Sequence, residues 1–266
     1  MPDYSENQQI WSDVPALFAE KPLPAAGGEA SLDENECRHV RALRLRGGDR
    51  VMLLDGAGGR AFGRIDEPGR RDVVVRVEDS TLEEPEQGVY IGLAVGVLDD
   101  RSRCEYLYEK CVELGVNAVY PFVGERTEGR FRRERLERIG LAALKQSQRV
   151  WLPSLSDPVD LDRLIVEAET YHRVLVCHEV HRPEDHLGLR IRGILEHAGA
   201  NGPLRLLVVV GPEGGLGGSE VERLRSEAGG VVVGLGPARL RAETAAIVAV
   251  TVLATARDGI SSNERR

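Results

Sequence analysis

Residues 211–215, Gly-Pro-Glu-Gly-Gly, follow directly after an apolar run from Leu206 to Val210, with Leu204 before it. Such a run predicts a strand buried on both faces, as in a parallel sheet. Ser219 and Glu222 have the spacing of a capping box, which predicts that a helix starts soon after the glycines. A glycine-rich turn at this junction points backbone N–H groups into the crevice at the strand's carboxyl end, where α/β sheets bind ligands. A tight turn that only needs glycine torsions is the alternative.

A second unit of the same kind follows. Residues 231–233 are three valines that predict a short strand, and a second glycine loop begins at Gly234. Arg241 and Glu243 then open an apolar stretch to about residue 256, which predicts a long helix. Two successive units of this kind can place their loops side by side at one sheet edge. There is no G-x-x-x-x-G-K-[ST], and no G-x-G-x-x-G fits the strand-to-helix junction, which excludes both of these nucleotide loops.

Composition indicates a globular protein without a membrane segment. The 266 residues are 42% hydrophobic and 29% charged, with a formal net charge of −8. No apolar run approaches the length of a membrane span, and the N-terminal residues lack the basic start and apolar core of a signal peptide. The 4 cysteines are scattered without a C-x-x-C pair, which favours reduced thiols over a disulfide framework or a zinc site. A cytoplasmic location is therefore expected.

The negative net charge does not exclude nucleic acid, because only the local field at a contact face matters. One cluster has a single acid, Asp49, among five arginines and is the better candidate for phosphate contact; its members are Arg38, Arg41, Arg44, Arg46 and Arg50, with His39 among them. A second cluster is interleaved with glutamates, which is typical of a solvated helix face. Its arginines are Arg126, Arg130, Arg132, Arg133, Arg135 and Arg138.

The pattern along the chain predicts two domains. Residues 31–80 are expected to form short strands and turns of a small β-barrel, with a hairpin turn at Asp55-Gly56. Residues 81–88 are polar and predict a linker. Beyond it, strands alternate with helices, including one over 102–114 that Gly115 ends, so a parallel sheet covered on both faces is expected. The predicted domains are 1–82 and 88–266, in an α/β protein.

Four motifs in order resemble a known family. Residues 211–216 and 235–245 (GPEGGL and LGPARLRAETA) resemble the paired C-terminal motifs of the RsmE family in the SPOUT superfamily. Residues 110–116 resemble its K-x-x-E-L-G-V helix motif, and 143–149 with Pro153 resemble its A-x-E-Q-x-x-R…P segment. More loosely, His39 to Arg44 with Gly48-Asp49 and Asp55-Gly56 resembles its N-terminal H-x-x-x-L-R…G-D…D-G pattern. Lys145 stands where many members have Glu, so no role of that carboxylate is carried over.

The resemblance implies a fold and an activity. The family methylates N3 of a uridine in the 16S ribosomal RNA of the small subunit and uses S-adenosylmethionine. The implied fold is a C-terminal α/β trefoil-knot SPOUT domain with an N-terminal PUA-like β-barrel that engages RNA, and the implied assembly is a homodimer. The knot follows from the resemblance alone, since the general rule is against knots. A 2′-O-ribose methyltransferase of the same superfamily and a non-catalytic RNA-binding ribosome-assembly protein are the alternatives.

Methylation at N3 requires two substrates at near-attack distance and removal of the N3 proton, because a neutral imide is a poor nucleophile. By family position, Arg241 stabilises negative charge on uracil or orients the cofactor carboxylate, and Glu243 or Thr244 positions or accepts the proton. A salt bridge between Arg241 and Glu243 that braces the helix start is equally compatible. The resemblance places the cofactor against the two loops, at Gly211, Pro212, Glu213, Gly214, Gly215, Leu235, Gly236, Leu240, Arg241 and Thr244.

The expected RNA contacts are Arg38, His39, Arg41, Arg44, Arg126 and Arg149. For Gln146 and Arg149, an exposed helix face without a task is the alternative. His178, His181 and His186 accompany Glu179 and Asp185, but their irregular spacing differs from that of metal-ligand motifs. We predict no metal site there, and instead a surface loop that borders the cofactor crevice.

Overall fold

The computed structural model describes residues 14–20, 22–66, 73–84, 88–180, 182–195 and 203–263, with side chains to Asp258. The chain separates into two units. The first unit is Met1–Pro85 with Leu141–Leu152, and the second unit is Glu86–Gly140 with Pro153–Arg266. Each unit contains its own sheet.

The first unit has a five-stranded sheet in the order β1-β3-β4-β5-β2. The strands are β1 (Ala16–Phe18), β2 (Glu29–Ser31), β3 (Arg50–Leu54), β4 (Gly59–Ile65) and β5 (Val74–Leu82). β1 pairs with β3 in parallel, and the other neighbours are antiparallel. Alternate residues of β4 are buried, as the two-residue period of a strand requires. The core side chains include Leu17, Val51, Leu53, Ile65 and Val75.

The arginine-rich segment of this unit is a helix, α1 (Glu34–Ala42). The expectation of strands and turns throughout residues 31–80 is therefore wrong here. Asp33 caps the helix, since its Oδ1 accepts the Glu36 N–H at 2.7 Å. Cys37 and Val40, three residues apart, bury one face of α1 in the core. The same spacing leaves Arg38 and Arg41 exposed, and Arg44, two residues beyond the helix, is also exposed.

The glycine turn after β3 forms as predicted. Gly56 and Gly58 have φ values of +69° and +96°, and the Asp55 Oδ1 accepts the N–H groups of Ala57 at 2.7 Å and Gly59 at 2.8 Å. This turn binds the segment Leu141–Leu152: the Gly58 N–H donates to the Val150 carbonyl at 2.9 Å. These bonds explain why that segment belongs to the first unit. The predicted domains, 1–82 and 88–266, instead place the segment in the second domain.

Lys145 also lies in this segment. Its Nζ is 2.5 Å from the Glu36 Oε1 and 3.1 Å from the His39 Nδ1. Glu36 is buried, and an unpaired buried carboxylate would be unfavourable. Lys145, at the position where glutamate was expected, therefore compensates a buried acid of α1.

The second unit has a parallel sheet of six strands, in the order β11-β9-β10-β6-β7-β8. The prediction of a parallel sheet is confirmed. Strands and helices follow one another along the chain as β6 (Val89–Gly96), α2 (Arg101–Glu113), β7 (Ala118–Phe122), α3 (Arg133–Ser147), β8 (Ser154–Leu155), α4 (Leu161–Ala168), β9 (Arg173–Cys177), α5 (Leu187–Leu195), β10 (Leu204–Val210), α6 (Gly218–Ser226), β11 (Val231–Val233) and α7 (Ala242–Asn263). A 3₁₀ turn, Pro183–Asp185, precedes α5. α3 begins in the second unit, and its last residues are grouped with the first.

A buried arginine joins α7 to the end of α2. Gly115, at φ +70°, ends α2 as predicted. Arg257 of α7 is 1% exposed, and it donates to the carbonyls of Gly115 at 2.8 Å and Leu114 at 3.3 Å. These carbonyls belong to a helix terminus and have no intrahelical donor. Arg257 therefore satisfies the terminus and fixes α7 in place.

Within the described ranges, no helix has the length and the apolar character needed to cross a bilayer.

Replacing Arg257 by Ala should destabilise the second unit by about 3 kcal/mol, because two carbonyls at the end of α2 lose their donor and the buried stem leaves a void. Urea unfolding followed by circular dichroism measures this. The matched control is Arg223→Ala on α6, whose ion pairs with Asp162 and Glu227 are solvent-exposed and should hardly change the midpoint. Equal midpoints for the two variants would contradict the role of Arg257.

Candidate functional site

A cavity of about 770 Å³ opens at the carboxyl edge of the parallel sheet. The loops after β9, β10 and β11 meet there, because these strands are neighbours and point the same way. The first loop, 211–216, and the second loop, 235–241, both contribute to the wall, as their placement predicted. The lining residues from the two loops are Gly211, Pro212, Glu213, Gly214, Gly215, Leu216, Leu235, Gly236, Ala238, Arg239, Leu240 and Arg241.

The first loop folds tightly on itself. A Cβ built on Gly211 would lie 2.6 Å from the Gly215 carbonyl carbon, so no other residue fits there. The Gly215 N–H donates to the Pro212 carbonyl at 2.8 Å. Gly215 has φ +72°, and Gly236 of the second loop has φ +136°; a Cβ on either would meet no atom within 4 Å. These two glycines therefore face open space at the cavity.

The helix after the first loop starts earlier than predicted. α6 begins at Gly218 with Gly217 as its N-cap, and the Glu220 Oε2 accepts the Gly217 N–H at 2.6 Å. The predicted capping box of Ser219 and Glu222 is wrong, because the Ser219 hydroxyl instead contacts the Glu125 carboxylate. Glu220 performs the capping and also accepts the Glu125 N–H at 2.9 Å. Glu220, two residues before Glu222, was the signal in the sequence for the N-cap at Gly217.

The predicted catalytic residues, Arg241 and Glu243, do not form a salt bridge with each other. Arg241 is exposed and lines the cavity. Glu243 is 7% exposed, and its Oε1 lies 3.7 Å from the Nε of Arg103. In the described part of the chain Glu243 makes no ion pair with Arg241, and its buried Oε2 has no hydrogen-bond partner. Arg103, in the first turn of α2, lines the cavity and was not a candidate from the sequence.

Thr244 is exposed on α7 and is not one of the lining residues. The predicted border of the crevice after β9 is present, since Cys177, His178 and Glu179 line the cavity. The Gly234 N–H donates to the Asp185 carbonyl at 3.1 Å, which ties the second loop to this segment. Burial raises the pKa of Cys177 to about 12. The thiol is therefore protonated at neutral pH and is not a thiolate nucleophile.

His181 lies outside the described residues. Among those that are described, no group of three or more His, Cys, Asp or Glu side chains could hold a metal ion.

The candidate RNA contacts fall in both units. Arg38, Arg41 and Arg44 project from the first unit, whereas His39 lies between Glu36 and Lys145. Arg149 is half-buried in the segment Leu141–Leu152. Arg126 belongs to the second unit: it lines the cavity and its Nη1 donates to the Gly214 carbonyl at 2.7 Å. The structure thus brings one of these candidates to the cavity.

Comparisons with known proteins agree with this geometry. Residues 85–254 match the family model for an RNA methyltransferase domain, and residues 32–78 match that for an RNA methyltransferase PUA domain. The ribosomal RNA small subunit methyltransferase E of Mycobacterium tuberculosis is 32% identical over 251 residues, which cover 89% of this chain and 90% of that protein. The Bacillus subtilis protein of the same name is 29% identical, over 84% of this chain and 88% of its own.

Solved structures show the same fold. A methyltransferase of Legionella pneumophila, solved with the bound cofactor SAM, has a TM-score of 0.77 and 28% identity, and the match covers 91% of this chain and 98% of that one. The methyltransferase E of Neisseria gonorrhoeae gives a TM-score of 0.76 at 24% identity, over 91% and 98%. The predicted combination of a PUA-like domain and a SPOUT-type parallel-sheet domain is confirmed, while the knot stays a prediction. The chain belongs to the ribosomal RNA small subunit methyltransferase E family.

Proposed function

We propose that this protein uses S-adenosylmethionine to methylate N3 of a uridine in the 16S ribosomal RNA of the small subunit. The observation that carries the proposal is the single cavity formed by two glycine loops, in a chain that is 28% identical to the Legionella protein solved with SAM. The ribosomal substrate puts the proposed activity in the cytoplasm. The family resemblance supports a homodimer as its assembly.

The cavity fits the cofactor. Its volume of about 770 Å³ lies in the range that encloses small-molecule ligands, and the open faces of Gly215 and Gly236 leave backbone accessible. Oriented backbone amides and carbonyls hold an adenosyl group without charged side chains. We assign this task to the lining residues that the sequence named, Gly211, Pro212, Glu213, Gly214, Gly215, Leu235, Gly236, Leu240 and Arg241, with Thr244 beyond the rim.

The bound cofactor supplies an electrophilic methyl group that is displaced in line from sulfur. The protein must orient the uracil and favour the form that has lost the N3 proton. Arg241, exposed at the cavity, stabilises negative charge on uracil or orients the cofactor carboxylate. Glu243, at the start of α7, is the second candidate in the reaction. On the RNA side, Arg38, Arg41 and Arg44 contact phosphates, with Arg126 and Arg149 as further contacts and His39 beside them.

Replacing Gly215 by Val should abolish cofactor binding, because a branched side chain disfavours φ +72° and projects into the cavity. Calorimetric titration with S-adenosylmethionine and its demethylated product should show at least a roughly 30-fold loss of affinity, about 2 kcal/mol. Gly229→Val is the matched control, since Gly229 also has positive φ and an open Cβ position but does not line the cavity. Equal losses in both variants would remove the loop from the site.

Charge reversal of both Arg41 and Arg44 to Glu should weaken RNA binding and reduce the salt slope by about two, one for each lost phosphate contact. Filter binding to small-subunit RNA at several salt concentrations measures the slope. Arg76→Glu, at another exposed arginine of the first unit, should leave it nearly unchanged, and cofactor affinity should not change in any variant. An unaltered slope for the double variant would exclude phosphate contact by Arg41 and Arg44.

The methyl group should appear on uracil N3, an atom on the pairing edge, so the target nucleotide must be unpaired or flipped out. The protein is incubated with labelled cofactor and small subunits from a strain that lacks it, and the nucleosides are identified by mass spectrometry. An N3-methyl also blocks pairing and should stop reverse transcriptase at one position. Label in 2′-O-methyluridine would move the assignment to ribose methylation, and no label despite cofactor binding would favour the non-catalytic alternative.

A further inference from the structure

Arg103, Arg239 and Arg241 line the cavity and donate no side-chain hydrogen bond within the described residues. Of these, Arg103 is the one at ion-pair distance from a buried carboxylate, that of Glu243. Arg126, also at the wall, is engaged with the Gly214 carbonyl. The Nε of Arg103 lies 3.7 Å from the carboxylates of both Asp100 and Glu243, which is ion-pair distance. Within the described residues, its Nη1 and Nη2 donate no hydrogen bond. The guanidinium of Arg103 is therefore placed between two acids at the cavity wall, and its N–H donors can serve a group that enters the cavity.

Glu243 lies behind Arg103. It does not line the cavity, it is 7% exposed, and its Oε2 is fully buried without a partner in the described part of the protein. A buried carboxylate needs a nearby cation or donors, and Arg103 is the cation that it contacts. This placement suits a residue that orients Arg103 better than one that must reach a proton on a bound base.

The chemistry of uracil indicates what Arg103 would meet. Loss of the N3 proton leaves an anion whose charge is shared by O2 and O4, the two oxygens that flank N3. A guanidinium presents coplanar donors to such an oxygen. A fixed cation in a cavity lowers the free energy of the anion more than that of neutral uracil, which favours ionisation.

We propose that Arg103 is the catalytic cation that stabilises N3-deprotonated uracil through O2 or O4, and that Glu243 is the buried positioning residue that holds it. The N3 proton leaves to water. The N3 electron pair then forms the bond to the methyl carbon while the carbon–sulfur bond breaks and sulfur keeps its pair. The proposal rests on the proposed function, because methylation of a ribose hydroxyl forms no such anion.

Other charged groups share the surroundings of Arg103. Asp100 accepts hydrogen bonds from Ser102 and Arg103, which hold its pKa below the usual range, so it stays anionic. Burial raises the pKa of Cys104 to about 11, so this thiol is neutral. Glu213 accepts the Asp99 N–H at 3.2 Å. The other charged or titratable side chains that line the same cavity are Arg126, Cys177, His178, Glu179, Glu213, Arg239 and Arg241.

The test is the pH profile of the methylation rate on small subunits at saturating cofactor, measured above pH 7.5, where an ordinary histidine is neutral. For Arg103→Gln we expect a loss of about 100-fold at pH 7.5. We also expect a rate that keeps rising tenfold per pH unit beyond the point at which wild type levels off, because uracil must ionise without the cation. Arg103→Lys keeps the charge and should recover part of the rate. Arg101→Gln, an exposed neighbour on α2 that pairs with Glu105, is the matched control and should keep the wild-type profile.

Glu243→Gln tests the positioning role. It should lower the rate less than Arg103→Gln, and the double variant should equal Arg103→Gln alone, since Glu243 acts through Arg103. A Glu243→Gln variant as inactive as Arg103→Gln, with additive losses in the double variant, would make Glu243 an independent catalytic group and overturn the proposal.

An Arg103→Gln enzyme with the wild-type pH profile would also overturn it. Cofactor affinity, measured on each variant, checks that the fold is retained. If Arg103→Gln does not bind the cofactor, Arg103→Met, which keeps the apolar stem, replaces it, and its pH profile is judged in the same way. Formation of N3-methyluridine by wild type separates this proposal from the proposed function. A ribose-methylated product would refute both, whereas an N3-methylating wild type with unshifted variants refutes the role of Arg103 alone.

Discussion

The cavity depends on the hydrogen bonds that the carboxylate of Glu220 accepts. Glu220 is 2% exposed, and it accepts the N–H groups of Gly217 at 2.6 Å and Glu125 at 2.9 Å. One buried charge therefore joins the loop after β10 to the loop after β7, although β6 lies between these strands. Hydrogen bonds to a carboxylate are stronger than those between neutral groups. Without Glu220, the N–H groups of Gly217 and Glu125 would lose their acceptor, and the loop after β10 would lose its connection to the loop that carries Arg126.

Close backbone packing adds to this constraint. A Cβ on Gly96, at the end of β6, would collide with Pro212, so the first loop rests directly on the neighbouring strand. Close backbone contacts with the loop itself and with β6 thus fix the positions of Gly211 and Pro212. Gly215 is required for a different reason, since its φ is positive and its Cβ position faces open space. A loop fixed on one side can present its amides on the other without reorganisation, which is the condition for electrostatic stabilisation of a bound group.

Features that depend on local periodicity were predictable from the sequence, and features that depend on contacts between distant segments were not. The segment from Leu204 to Val210 forms a strand as expected, and all of its residues except Arg205 are buried, as in a strand covered on both faces of a parallel sheet. Helix α1 was not predicted because only Cys37 and Val40 mark its buried face, and charged residues occupy most of its other positions. The partner of Glu243 is Arg103, 140 positions away on α2, and no spacing rule connects them. The loops of the site were therefore predictable, whereas the arrangement of its charges required the structure.

The distribution of paired and unpaired charges reconciles a net charge of −8 with an RNA substrate. Many acids are neutralised at short range by arginines of their own surface, as Glu78 is by Arg64 and Asp157 by Arg133. Such pairs contribute little field beyond a Debye length, about 8 Å at physiological salt. At the cavity the balance differs, because Arg239 and Arg241 are exposed and make no ion pair in the described part of the chain. A phosphate that approaches the glycine loops therefore meets these local cations and not the average charge of the protein, so the net negative charge does not by itself oppose RNA at the cavity.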